Sequence, residues 1–113
     1  MIEQIQPAQL THWITSMQAH GDPLVLDVRE AWELQTASVR SENFELLHIP
    51  MQAIPPRLSE LDPNRPIACL CHHGGRSMQV AAFLVNQGFS HVANVAGGIH
   101  AWSTQVDPSV PQY

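Results

Sequence analysis

The chain has 113 residues, which is enough for one domain with one hydrophobic core and too few for two. Apolar residues make up 44% of the chain, which excludes intrinsic disorder. The formal net charge of -5, with five scattered lysine and arginine residues, excludes a nucleic-acid-binding surface, so an anionic ligand needs a local positive pocket.

The first half of the chain predicts a helix, a strand, a short helix and a second strand. Between residues 7 and 22, apolar residues at positions 10, 13, 14 and 17 share one helical face. PLVLDV (23–28) has the apolar and β-branched character of a buried strand. EAWEL (30–34) is helical in character, and NFELLHIP (43–50) contains a strand that Pro50 ends.

The second half continues this alternation of strands and helices. The predicted elements are a short helix opened by the prolines of PPRLSELD (55–62), a buried strand in RPIACLC (65–71), a long helix in RSMQVAAFLVNQG (76–88), a strand in HVANV (91–95) and a short helix in GGIHAWSTQ (97–105). Gly88 is suited to end the long helix. Pro108 and Pro111 predict an irregular tail over about residues 106–113.

Alternating strands and helices predict one α/β domain over residues 1–113, with a mainly parallel sheet and helices on both faces. In such sheets, ligands bind beyond the carboxyl ends of the strands. Cys71 lies at such an end, directly before the long helix.

The sequence does not predict export or membrane insertion. The first ten residues, MIEQIQPAQL, lack the basic and apolar regions of a signal peptide, and no apolar run approaches a membrane span in length. The two cysteines, Cys69 and Cys71, are too few for a secreted disulfide scaffold. We therefore expect a cytoplasmic protein that does not bind membranes.

The segment CHHGGR, which begins at Cys71, predicts an anion-binding loop that contains a nucleophile. Gly74 and Gly75 allow positive φ angles and the close approach of a ligand. The N–H groups of His72, His73 and the residues after them can then point inward, together with those of the helix start. This environment favours the Cys71 thiolate, and we expect Cys71, at the mouth of the loop, to be partly exposed. Sulfur transfer through a persulfide and phosphoryl or arsenate chemistry through a cysteinyl adduct both fit such a loop.

Four blocks occur in a characteristic order and spacing: LDVRE (26–30), HIPMQAIPPRLSEL (48–61), CHHGGRS (71–77) and VANVAGGIHAW (92–102). They resemble the single-domain rhodanese, or thiosulfate sulfurtransferase, family over nearly the whole chain. The resemblance implies a five-stranded parallel sheet flanked by helices and a persulfide carried on Cys71. The substrate-binding loop that it implies consists of His72, His73, Gly74, Gly75 and Arg76.

The resemblance also assigns Asp27 and Arg29 to support of the region around the loop, although an ordinary structural ion pair explains them equally well. Arg76 is a cation at a helix start, where it opposes the helix dipole, so we expect it to have a specific partner in the loop or the substrate. The loop has six residues from Cys71 to Arg76. Related cell-cycle phosphatases and arsenate reductases have one residue more, so this length favours a sulfurtransferase.

One block of the family is missing. Many members carry GHIPGA after the helix that follows DVRE, but the corresponding stretch here, TASVRSENF (36–44), contains neither the glycine nor the histidine. HIP at 48–50 aligns with a later block instead. The difference concerns one wall of the site and therefore the natural sulfur acceptor.

Cys69 and the histidines are not predicted to act as the nucleophile or as metal ligands. Cys69 shares a strand face with Cys71 and is expected to pack in the core, with a resolving-thiol role as the alternative. We predict no metal ion and no organic cofactor. A structural zinc site built from His72, His73 and the cysteines would need a second pair of ligands elsewhere in the chain. No such pair is evident among His12, His20, His48, His91 and His100. His72 and His73 are expected to rim the pocket and to attract an anion below neutral pH.

The sequence therefore predicts a sulfurtransferase that moves a sulfane sulfur from a small anion such as thiosulfate to a thiophilic acceptor through a Cys71 persulfide. Cyanide serves as the acceptor in vitro, and a thiol or a protein serves in the cell. The alternative is a non-catalytic rhodanese module that binds a protein partner, or that senses sulfur or oxidants through Cys71.

Overall fold

The computed structural model describes residues 2–41 and 44–113. In chain order, its strands are β1 (Glu3–Ile5), β2 (Leu24–Asp27), β3 (Glu45–His48), β4 (Ile67–Leu70) and β5 (Val92–Val95). Its α-helices are α1 (Leu10–Met17), α2 (Ala31–Thr36), α3 (Gly75–Asn86) and α4 (Gly98–Gln105). Across these residues, every helix is too short or too polar to span a membrane. Met1, Glu42 and Asn43 lie outside the described residues. The structure therefore describes only part of the predicted domain span 1–113 and of the stretches 36–44 and 43–50.

The five strands form one sheet in the order β1-β5-β4-β2-β3, and every neighbouring pair is parallel. In β4, Ala68 and Leu70 belong to the core that α1 and α4 cover, whereas Ile67 and Cys69 belong to the core that α3 covers. Because both faces of the sheet are buried, its central strands are continuous apolar runs in the sequence. The expected five-stranded α/β fold is confirmed.

The carboxyl ends of β2 and β4 lie side by side, since Asp27 is the register partner of Leu70. Cys71 directly follows β4, and the chain then turns into α3. This edge of the sheet is where parallel α/β folds bind ligands.

Two details differ from the sequence patterns. β1 was not predicted, because Glu3 and Gln4 are exposed and only Ile5 is buried, so the strand has no apolar run. Its pairing with β5 is a tertiary feature. The short helix expected over 55–62 takes the form of a 3-10 turn at Leu58–Glu60.

The C-terminal segment, residues 106–113, contains neither helix nor strand, but it does not form a free tail. Val110 is buried, and its carbonyl oxygen accepts a hydrogen bond from Ser103 Oγ at 2.6 Å. This anchor returns the end of the chain to the carboxyl edge of the sheet, where Tyr113 contacts the loop after β4.

Candidate active site

Cys71 lies at the base of the loop between β4 and α3. Its Sγ accepts a hydrogen bond from the backbone N–H of Gly74 at 3.1 Å and lies 3.2 Å from Ser77 Oγ. The residue is only 1% exposed, so the expectation of a partly exposed cysteine is wrong. The loop folds over the sulfur, and His73 and Gly75 are the exposed residues of this loop.

Gly74 makes the turn that closes this loop. Its φ is +103°, and a Cβ at this position would lie 3.1 Å from the backbone nitrogen of Gly97. Gly75 is different: it begins α3, and a Cβ there would meet nothing within 4 Å. The absence of a side chain at Gly75 therefore leaves open space beside the loop. The first N–H groups of α3 have no acceptor within the helix and remain available to a ligand.

The start of α4 holds the loop from the other side. The N–H groups of Ile99 and His100 donate to the carbonyl oxygens of Cys71 and His72 at 2.8 and 3.1 Å. Gly98 makes this approach possible, because a Cβ on it would lie 2.4 Å from the Cys71 carbonyl oxygen. The loop backbone is thus fixed by two helices.

Arg76 has a specific partner, as expected, but that partner is Glu33 on α2 and not a group of the loop or the substrate. Its Nη1 and Nη2 donate to Glu33 Oε1 and Oε2 at 2.6 and 2.9 Å. The Glu33 side chain is 3% exposed, and the hydrogen bonds from Arg76 lower the pKa of its carboxyl group to about 2. No sequence pattern predicted a role for Glu33. The feature that could have pointed to Glu33 is its position on the helix that directly follows the DVR block.

Asp27 and Arg29 form a buried ion pair in which Arg29 Nε and Nη2 donate to Asp27 Oδ1 and Oδ2 at 2.9 and 2.8 Å. Arg29 Nη1 also donates to the Tyr113 hydroxyl oxygen at 3.0 Å, and that hydroxyl donates to Glu33 Oε2 at 2.6 Å. Burial and the bond to Glu33 raise the pKa of Tyr113 to about 12, so its phenol remains a donor. The pair is therefore linked to Arg76 through Tyr113 and Glu33.

A row of aromatic rings lies on the outer side of the loop. Tyr113 stacks on His72 with a centroid distance of 3.8 Å and an interplanar angle of 4°. His73 lies 3.9 Å from His72 and 5.0 Å from His100, measured between centroids. Burial lowers the pKa of His72, and His73 lowers it further. His72 is thus less cationic than an ordinary histidine, which opposes its expected part in attracting anions.

The fold also brings together residues that could hold a metal ion. His72, His73 and His100 can each offer one ring nitrogen, and these nitrogens lie within 4.8 Å of one another. The sequence did not reveal this group, because His100 follows β5 and is separated from the other two by α3.

Ser77 and Asn94 form a polar chain behind Cys71 that the sequence analysis did not single out. Ser77 Oγ contacts Asn94 Oδ1, and Asn94 Nδ2 donates to Gln4 Oε1 at 2.9 Å and to the Gly74 carbonyl oxygen at 3.2 Å. A hydroxyl has one proton, so Ser77 donates either to Asn94 or to a Cys71 thiolate. An asparagine inside the apolar strand HVANV was the signal available in the sequence.

Cys69 lies in a different environment from Cys71. It is fully buried in the core under α3, as predicted, and burial raises the pKa of its thiol to about 12. Both cysteines are free thiols. A resolving role for Cys69 would require the core to open.

The fold, the loop and the order of the sequence blocks have counterparts in one protein family. Residues 10–105 match the model of the family described as "Rhodanese-like domain". The chain belongs to the rhodanese-like family.

Individual rhodanese relatives match over different shares of their length. A sulfurtransferase from Allochromatium vinosum is 32% identical over 110 residues, which are 97% of this chain and 96% of that protein. The rhodanese-like/PpiC domain-containing protein 12, chloroplastic, from Arabidopsis thaliana is 46% identical over 90 residues, which are 79% of this chain but only 30% of that protein. The crystal structure of a rhodanese-related protein from Thermoplasma volcanium matches with a TM-score of 0.75 and 30% identity, over 98% of this chain and 99% of that one.

Proposed function

We propose that this protein is a sulfurtransferase that carries a sulfane sulfur on Cys71. Membership of the rhodanese-like family and a relative of nearly equal length that is named sulfurtransferase support the general activity. The observation that carries the assignment to Cys71 is the pair of groups at its Sγ, the Gly74 N–H at 3.1 Å and the Ser77 hydroxyl at 3.2 Å. Hydrogen bonds donated to Sγ stabilise the negative charge that the sulfur carries during the transfer.

In the first half of the reaction, the Cys71 thiolate attacks the outer sulfur of a donor such as thiosulfate. A sulfur–sulfur bond forms to Sγ, the sulfur–sulfur bond of thiosulfate breaks, and sulfite leaves with the electron pair. We expect the N–H groups at the start of α3, which have no acceptor within the helix, to stabilise the negative charge on the transferred sulfur and on the departing oxyanion.

In the second half, a thiophilic acceptor attacks the outer sulfur of the persulfide. Cyanide leaves as thiocyanate, or a thiolate leaves as a new persulfide, and the Cys71 thiolate is regenerated. The cycle transfers one sulfur atom and needs no external oxidant or cofactor. It requires a reduced Cys71, which is consistent with the cytoplasmic location that we propose from the sequence.

The supporting residues act on the loop rather than on sulfur. Arg76 is engaged by Glu33 through both terminal nitrogens, so we assign it to holding the loop, with Asp27 and Arg29 connected to the same network through Tyr113. Because the loop from Cys71 to Arg76 is one residue shorter than that of the related phosphatases, we expect hydrolysis of aryl phosphates to be much slower than sulfur transfer.

The test is the intact mass of the purified protein. Treatment with thiosulfate should add the mass of one sulfur atom, and cyanide should remove it with formation of thiocyanate. Cys71→Ala should gain no sulfur, whereas Cys69→Ala is the matched control and should load normally, because Cys69 is buried and its thiol stays protonated.

If thiosulfate, polysulfide and persulfide donors all fail to load Cys71, the transferase proposal is wrong and the non-catalytic module becomes the better account. Loss of loading in Cys69→Ala, when that variant is folded, would contradict the assignment of a single nucleophile.

A further inference from the structure

His72, His73 and His100 form a compact group of imidazoles at the rim of the loop. Their candidate ligand nitrogens lie within 4.8 Å of one another. The backbone holds the group together, because the N–H of His100 donates to the carbonyl oxygen of His72 at 3.1 Å. The loop and α4 therefore present the three rings as one unit.

Two of these rings have a nitrogen whose hydrogen-bonding capacity is unused. Within the part of the chain that the structure describes, His72 Nε2 and His100 Nδ1 are buried and have no hydrogen-bond partner. Leaving a buried polar atom unpaired is unfavourable, and most such atoms in proteins are paired. Unused imidazole nitrogens beside a third histidine have the chemistry of metal ligands.

The ligand type selects the class of ion. Imidazole suits Zn²⁺, Cu²⁺ and Ni²⁺, whereas Mg²⁺ and Ca²⁺ prefer oxygen ligands. In a tetrahedral zinc site with bonds of about 2.0–2.1 Å, the ligand nitrogens lie about 3.3 Å apart. The rings must rotate inward to reach that spacing, and His73 has room to do so because it is exposed.

We infer that His72, His73 and His100 bind a divalent transition-metal ion of the zinc class, with three imidazole ligands and one open coordination position. Three protein ligands with a fourth position open is the arrangement of zinc sites that accept water or a substrate. The site includes His72, the residue after Cys71, but uses no atom of Cys71, so the inference does not depend on the proposed sulfur transfer.

The test uses the full chain without an affinity tag, in a Cys71→Ala background that removes this thiol as a competing ligand. Zn²⁺ is titrated against a chromogenic chelator, and the visible spectrum of Co²⁺ reports the coordination geometry. We expect one Zn²⁺ per chain and a four-coordinate Co²⁺ spectrum. His73→Ala and His100→Ala should each weaken binding by roughly tenfold or more, since even an outer-shell partner contributes that much.

His20 and His91 supply the matched control, because their rings also stack, at 4.1 Å between centroids, but they precede β2 and β5 at the opposite edge of the sheet. His20→Ala should bind Zn²⁺ as tightly as the parent. Because His73 is exposed, His73→Ala keeps the test decisive even if His100→Ala unfolds. Unchanged binding in folded His73→Ala would overturn the inference, and so would the absence of stoichiometric Zn²⁺ binding in the parent.

Discussion

Arg76 and Glu33 are 43 positions apart in the sequence, yet the guanidinium and the carboxylate are joined by two hydrogen bonds of 2.6 and 2.9 Å. Glu33 lies on α2, and Arg76 lies in the first turn of α3, where a cation opposes the helix dipole. The carboxylate compensates for that unfavourable position. The conformation of the loop after Cys71 therefore depends on a helix from another part of the chain.

Glu33→Gln should loosen the loop. The substitution removes the charge that pairs with Arg76, and we expect a loss of about 1–3 kcal/mol in the free energy of unfolding together with slower sulfur loading of Cys71. Urea unfolding and the mass change with thiosulfate measure the two effects. Glu60→Gln is the control, because the side chains of the Arg57–Glu60 pair are 40% and 49% exposed and such pairs contribute little. Equal effects of both substitutions would contradict the special role of Glu33.

The Glu33 carboxyl group should make the free energy of unfolding depend on pH in the acidic range. Its pKa is about 2 in the folded protein, lowered from 4.5 chiefly by the hydrogen bonds from Arg76. At a pH above the ordinary pKa of 4.5, the lowered pKa of Glu33 makes its full contribution to the stability of the folded state. This contribution is lost as the pH falls from about 4.5 to about 2. The difference in unfolding free energy between the parent and Glu33→Gln should therefore shrink over that pH range. A difference that stays constant down to pH 2 would contradict the lowered pKa.

Ser77→Ala should reduce the reactivity of Cys71. It removes the hydroxyl that can donate to Sγ, and the loss of one such hydrogen bond corresponds to a roughly tenfold slower alkylation at neutral pH. The rate of modification by iodoacetamide measures this effect. Ser103→Ala is the control: it removes another buried hydroxyl, which donates to Val110, and should cost stability without slowing alkylation of Cys71. If Ser77→Ala reacts at the parental rate, Ser77 donates to Asn94 alone.

Tyr113 should contribute through both its ring and its hydroxyl. Tyr113→Phe keeps the stacking on His72 but loses the bonds to Arg29 and Glu33, which should lower the free energy of unfolding by about 1 kcal/mol. Tyr113→Ala also loses the stacked ring and should cost about 1 kcal/mol more. Urea unfolding of both variants checks the two steps. If neither variant differs from the parent, the C-terminal segment does not support the loop.

The two cysteines should differ in reactivity but not in their contribution to packing. In the native protein at pH 8, iodoacetamide should modify Cys71 and leave Cys69 unmodified, because burial raises the pKa of Cys69 to about 12. Both side chains are buried, so Cys71→Ala and Cys69→Ala should each cost about 1 kcal/mol. Mass spectrometry of alkylated peptides and urea unfolding measure these outcomes. Native-state modification of Cys69 ahead of Cys71 would reverse the assignment.

Local patterns predicted much of the fold. The apolar runs before Asp27 and Cys71 are strands because both faces of the sheet are covered, and Gly88, with a φ of +92°, ends α3 as expected. β1 escaped prediction because an edge strand of three residues, two of them polar and exposed, is defined by its partner β5 rather than by its own composition. The depth of Cys71 also escaped prediction, since it depends on how the loop folds back over the sulfur.

Local sequence is sufficient to predict the alternation of strands and helices, the position of Cys71 at a strand end and the glycine turn after it, because these depend on neighbours within a few residues. The groups that surround the loop are set instead by long-range contacts. Glu33 reaches Arg76 across 43 positions and Tyr113 reaches Arg29 across 84, because the sheet order places β2 beside β4 and the last segment folds back to the same edge. Contacts between residues so far apart produce no periodic pattern in the sequence. These contacts complete the candidate site.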